Sequence, residues 1–342
     1  MSTDTAAPLL DVRGLEAVYD SPRGPVHALN GVSFSVKPGE VLALVGESGS
    51  GKSASALAVM GLLQRTRGRV TAGNVLFRDQ DLLALPERDL RGLRGKDIAL
   101  VFQNPMTTLN PTLTIGAQLR EVIRHHTGKS RREAGARALE LLRLVEIPDP
   151  EARLKSYPHQ LSGGLRQRVM IALALSCDPS LLITDEATTA LDVTTQAQVL
   201  HLLKRLSAEL GTALVVITHN MGVVAGLADR VAVMYAGRIV EIGAVDEVFY
   251  APAHPYTAGL LGAIPQMDTP RSEDLVAIKG RPPSLLDLPG GCAFADRCPL
   301  VTAQCRAQRP EPVSPDRHTA ACWADPELVR KEARTRIGSE AR

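Results

Sequence analysis

The residues Gly46-Glu47-Ser48-Gly49-Ser50-Gly51-Lys52-Ser53 fit the spacing G-x-x-x-x-G-K-[ST], which suits phosphate binding. Glycines at such positions let backbone N–H groups turn inward around phosphate oxygens at a helix start, where the helix dipole also favours anions. Lys52 is expected to reach the β- and γ-phosphates of a nucleotide, and Ser53 to ligate Mg²⁺. A second chemical group lies far along the chain, at Leu181-Leu182-Ile183-Thr184-Asp185-Glu186. An apolar strand ending in two acids suits Asp185 as the outer partner of the Mg²⁺ site. Glu186 is then expected to polarise a water for attack on the γ-phosphate.

These groups need elements to hold them. Residues 41–45, nearly all apolar, precede the loop, and a helix-like stretch at 54–63 follows it. A strand of that kind is buried on both faces, as in a parallel sheet covered by helices. Residues 181–184, 213–218 and 231–235 repeat the pattern near helix-like stretches, and shorter strand-like runs open the chain at 9–12 and 32–36. The alternation reads as α/β. Between Asn104 and Gly164 the pattern changes: Ala138, Leu141, Leu142 and Val145 form a helical stripe. An inserted helical subdomain over about 104–170 is expected. After Tyr250 the chain becomes proline-rich, from Pro252 to Pro315, which sets an expected boundary between a first domain, 1–250, and a C-terminal region, 251–342.

Composition narrows the function classes. The 342 residues are 44% hydrophobic, which excludes disorder as the main state. Only 3% are aromatic, so the core is expected to be aliphatic. Lys and Arg number 39 against 37 Asp and Glu, and a net +2 gives little reason to expect a general grip on a nucleic-acid backbone, with a local basic patch left open. No apolar run approaches the roughly 18 residues of a membrane span, and the first residues lack a signal pattern, so the chain is expected in the cytoplasm.

Upstream of the acidic strand stands Leu161-Ser162-Gly163-Gly164-Leu165-Arg166-Gln167-Arg168, and with it the sequence resembles an ABC transporter ATPase subunit. The resemblance implies a P-loop NTPase core with an inserted helical subdomain and a small Cys-containing C-terminal region. It implies that Ser162, Gly163 and Gly164, flanked by Leu161 and Leu165, open a helix whose N–H groups bind the γ-phosphate held by a second subunit. Tyr19 matches the aromatic that stacks on adenine. Gln103 matches the glutamine that links the Mg²⁺ and water site to the membrane subunit. Asp192 matches the loop at the dimer interface, and His219 the histidine that contacts the γ-phosphate. One departure is Ala187, where the family commonly has proline after the base glutamate. It removes no catalytic group.

Two segments resemble the peptide and nickel importer branch: Phe102-Gln103-Asn104-Pro105-Met106-Thr107-Thr108-Leu109-Asn110-Pro111 and His254-Pro255-Tyr256-Thr257-Ala258-Gly259-Leu260-Leu261. The expectation is an ATP-hydrolysing motor of an oligopeptide or dipeptide importer on the cytoplasmic face of the inner membrane. It would work with a second, non-identical ATPase, two transmembrane permease subunits and an extracytoplasmic substrate-binding protein. Nickel or another small solute is the alternative within the branch. A soluble ABC ATPase acting on nucleic acid or ribosomes is the rival outside it, disfavoured by the single cassette and the near-neutral charge.

Four of the five cysteines, Cys292, Cys298, Cys305 and Cys322, crowd a proline-rich segment without aliphatic runs of its own. Such a segment gains order from a cross-link or a metal. Disulfides are disfavoured in the reducing cytosol. Four thiolates suit a 4Fe-4S cluster, which this importer branch can carry, or zinc, although paired C-x2-C spacing is missing. The expectation is a 4Fe-4S cluster, with zinc and metal-free thiols as alternatives. The charged tail from Asp325 is expected to be a solvated helix.

Overall fold

A computed structural model of the chain describes residues 7–102, 108–186, 192–264 and 278–337. The chain divides into two compact units, each built from several stretches of sequence.

One unit combines the chain up to Leu9 with Val36–Val41 and Ala84–Ile217. Its sheet strands Ile98–Val101, Leu181–Asp185 and Ala213–Thr218 run parallel, with Ile98 paired to Leu181 and Leu181 to Ala213. All six residues of Ala213–Thr218 are buried, as the apolar run requires. Between the first two strands lies the helical insertion. Ile115–Thr127 begins at Thr114, whose side chain accepts from Ala117 N, and ends at Gly128 in the left-handed conformation. Arg131–Leu144 begins with a capping box, in which Ser130 Oγ accepts from Glu133 N and Glu133 accepts from Ser130 N. The expected stripe Ala138, Leu141, Leu142 and Val145 is fully buried. No strand occurs among the described residues between 104 and 164.

The other unit combines Leu10–Ser35, Leu42–Leu83 and Thr218–Arg342. In it Val41–Val45 pairs in parallel with Arg230–Tyr235, and Arg230–Tyr235 pairs antiparallel with Arg238–Ala244. Thr319–Ala320 extends that edge. A second, antiparallel sheet orders Gly24–Val36, Leu10–Ser21, Gly68–Phe77 and Gln80–Asp81. It is far larger than the two short runs expected at 9–12 and 32–36. Polar positions and a register shift between Arg13 and Glu16 break the alternation that would have revealed it. The tail is a helix, Pro326–Ile337, but not a wholly solvated one: Val329 and Ala333 are buried against Ala258 of the helix Pro255–Gly262.

Candidate active site

The phosphate loop runs from the end of Val41–Val45 to the helix Lys52–Val59. Its conformation depends on glycine. At Gly46, φ is 150°, and a Cβ there would stand 2.2 Å from Met234 O and 3.0 Å from Ser50 Oγ. Gly51, with φ 108°, is the N-cap of the helix. Ser48, Gly49 and Ser53 are exposed. Ser50 Oγ is buried and has no hydrogen-bond partner, and Lys52 is 4% exposed. The Lys52 ammonium donates to Gly46 O at 2.8 Å and Glu47 O at 2.9 Å, so it is held inside the loop. A buried hydroxyl without a partner and a cation curled into a glycine cradle at a helix start fit the phosphates of ATP. Tyr19, half-buried on Leu10–Ser21, lies opposite Gly68, with its ring edge over that glycine. His219, exposed, follows directly on the strand Ala213–Thr218. These residues share the second unit, except that the strand itself ends the first.

In the first unit Asp185 closes its strand opposite Ile217. Glu186 continues that ladder by one bond, its N donating to Ile217 O at 3.0 Å, but with φ 45°. A left-handed backbone costs a non-glycine residue about 1–2 kcal/mol. It ends the extended backbone of the strand at the residue expected to act as base. Strain of this kind gathers at functional sites. Asp185 at this strand end fits an outer Mg²⁺ partner, and the metal would supply charge neutralisation on the transferred phosphoryl group.

Two further helix starts meet in the same unit. Ser162 caps Gly163–Ala174, its Oγ accepting from Leu165 N at 3.4 Å. Asp192 caps Val193–Leu210, with Oδ1 accepting from Thr195 N at 3.0 Å and Oδ2 from Thr195 Oγ1 at 2.7 Å. Ser162, Gly163, Gly164, Leu165, Asp192 and Thr195 line one open cleft of about 520 Å³. A Cβ at Gly164 would come within 2.7 Å of Thr195 Cγ2, so glycine lets the two helix starts approach without displacing that side chain. Leu161 is buried beneath the segment. Gln103 and Ala187 lie outside the described residues.

The metal centre expected at Cys292, Cys298, Cys305 and Cys322 is not supported, neither as 4Fe-4S nor as zinc. Among the described residues, which include all four, no group of three or more His, Cys, Asp or Glu side chains could hold a metal ion. The four are free cysteines. Burial, and after it the neighbouring cysteines, raise the thiols of Cys292 and Cys322 and push Cys298 up to about 11.

Order in this segment comes from other contacts, which sequence spacing did not reveal. Tyr235, Tyr256 and Phe294 form an aromatic cluster with ring centroids 4.6–5.4 Å apart. Glu241, fully buried, accepts from Ala253 N at 2.8 Å and His254 N at 2.9 Å, and its Oε1 lies 2.9 Å from His318 Nε2. His254 is buried, and burial lowers its pKa to about 3, so the ring is neutral. Its Nδ1 accepts from Tyr256 N and caps Pro255–Gly262. Arg297 reaches from this region to Glu47 of the phosphate loop.

Beside the phosphate loop, the Ser162-capped helix with its Ser-Gly-Gly start resembles that of an ATP-binding cassette. The comparisons agree and go further. Residues 29–189 match the ABC transporter family, and residues 240–305 match the oligopeptide/dipeptide transporter C-terminal region. The dipeptide transport ATP-binding protein DppD of Bacillus subtilis is 49% identical over 316 residues, 92% of this chain and 94% of that protein. The oligopeptide transport ATP-binding protein OppD of Salmonella typhimurium is 49% identical over 327 residues, 94% of this chain and 96% of that one. A dimeric ATP-binding cassette in a post-hydrolysis state with ADP and Pi superposes with a TM-score of 0.62 at 29% identity, covering 69% of this chain and 98% of that one. The chain belongs to the ABC transporter ATPase family, in the branch with the oligopeptide/dipeptide transporter C-terminal region. It is an ATPase with the mixed α/β fold of that family.

Proposed function

We propose that the chain is the ATP-hydrolysing motor of an importer for dipeptides or oligopeptides. The observation that carries this is likeness along nearly the whole length, C-terminal region included, to dipeptide and oligopeptide transport ATPases. In this reading residues 1–250 form the nucleotide-binding domain and 251–342 the importer-type C-terminal region. The protein sits on the cytoplasmic face of the membrane, docked on two permease subunits that receive peptide from an extracytoplasmic binding protein. Among the described residues no helix is long and apolar enough to cross a membrane, which accords with spanning done by other chains.

The residues take the following roles. Gly46 to Ser53 cradle the phosphates, Lys52 countering the charge on the β- and γ-phosphates. Ser53, Gln103 and Asp185 hold Mg²⁺. Tyr19 stacks on adenine, Glu186 takes a proton from the attacking water, and His219 contacts the γ-phosphate. The Ser162 helix and the Asp192 loop serve the nucleotide of a second ATPase, as helix N-termini suit an anion. Phosphoryl transfer then depends on positioning and charge stabilisation. Lys52→Ala in the assembled transporter tests the reading: it should abolish ATP binding and peptide uptake together. Uptake that survives the loss of ATP binding would remove the motor role.

A further inference from the structure

The C-terminal region reaches the phosphate loop itself. The Arg297 guanidinium donates in fork geometry to Glu47, Nη1 to Oε2 at 2.7 Å and Nη2 to Oε1 at 2.9 Å. The Arg297 side chain is 5% exposed, and its guanidinium lies 5.7 Å from the Tyr235 ring centre and 5.9 Å from that of Phe294. Its Nη1 also donates to Tyr235 Oη at 3.3 Å and its Nε to Lys279 O at 3.1 Å, so the cation is aimed from a rigid socket. Glu47 is held at its other groups too. Its N donates to Tyr256 Oη at 2.8 Å, and its carbonyl accepts from the Lys52 ammonium. One residue of the phosphate loop is thus fixed at its N–H, its carbonyl and its carboxylate, two of the three by the C-terminal region.

We infer that Arg297 is a positioning residue for ATP binding: together with Tyr256 it fixes Glu47, and so presents the phosphate loop in a preformed shape. A loop ordered before binding loses less conformational freedom when nucleotide arrives, which appears as affinity. A part-buried bidentate pair suits this role because its two parallel charge-assisted bonds fix the carboxylate in one orientation. The inference rests on residues 46–53 being the nucleotide loop.

The test measures the affinity of the full-length chain for a fluorescent ATP analogue, and KM and kcat for Mg-ATP in the assembled transporter. Arg297→Ala and Glu47→Gln should each raise Kd and KM about tenfold, equivalent to about 1.4 kcal/mol, with kcat reduced no more than about twofold. The double variant should be no worse than either single one, because both break the same contact. Arg297→Lys should recover only part of the affinity, since an ammonium cannot form the fork. Unchanged affinity in both single variants, additive losses, or a fall in kcat at constant KM would overturn the inference. Glu47→Gln, at a residue 28% exposed, provides the test if Arg297→Ala does not fold. Lys52→Ala separates the two levels. If it binds nucleotide as well as wild type, the loop assignment falls; if it loses binding while the Arg297 and Glu47 variants keep theirs, only the role of Arg297 falls.

Discussion

Glu186 combines a reactive carboxyl with a left-handed backbone at the end of a buried strand. If it is the base, Glu186→Gln should retain ATP binding and lower kcat by at least ~100-fold, the usual scale of acid–base catalysis. Rapid-quench turnover beside a binding titration checks this, and turnover near the wild-type rate would remove Glu186 from the role. Most of the proposed site could be read from sequence because its chemistry is local. Lys52, Ser53, Asp185 and Glu186 sit in short contiguous motifs, and Ser162 lies next to its own glycines. Arg297 could not be read this way. It meets Glu47 across 250 residues, and a single arginine in a charged chain carries no periodic or motif signal.

The same distinction holds for elements. The parallel strands and the helix Arg131–Leu144 were legible because burial on both faces, or on one stripe, leaves an apolar pattern of fixed period. The capping box at Ser130 and Glu133 is equally local, and Ser130→Ala should cost about 1 kcal/mol by the loss of one N-cap bond. A urea titration of the variant measures it; a midpoint equal to wild type would show that the cap contributes nothing. The antiparallel sheet stayed hidden because exposed positions alternate irregularly through its bulge. The terminal helix shows how burial overrides composition. Its charges suggested solvation, yet Val329 is fully buried against Ala258. Val329→Asp should release this helix, seen as faster hydrogen exchange over 326–337 with little change in Gly163–Ala174. Unaltered exchange would show that this contact does not hold it.

At the scale of the molecule, the cysteine spacing suggested a metal-held C-terminal region, whereas contacts from the sheet and the phosphate loop hold it. Cysteine counts disclose ligand potential, but not whether the thiols are arranged as a group that could hold a metal ion. The clasp around Glu241 gives this region a pH dependence. The hydrogen bond to Glu241 raises the His318 pKa above its ordinary 6.5. The pair's contribution is therefore full below about pH 6.5 and fades as pH rises through the higher folded value. The destabilisation caused by His318→Gln, read from thermal melts, should be larger at pH 6 than at pH 8.5; an equal difference at both would refute the clasp.

The two-unit cassette with its own C-terminal region is proposed to turn ATP hydrolysis into peptide uptake. The most direct measurement is ATP hydrolysis in proteoliposomes holding this chain, its partner ATPase and the permease subunits, with the binding protein added empty or loaded. Dipeptide- or oligopeptide-loaded binding protein should raise hydrolysis severalfold over the empty form, and Glu186→Gln in this chain should strongly reduce that stimulation. Hydrolysis that is indifferent to peptide, or that responds to a nickel chelate instead, would contradict the proposed role in peptide uptake.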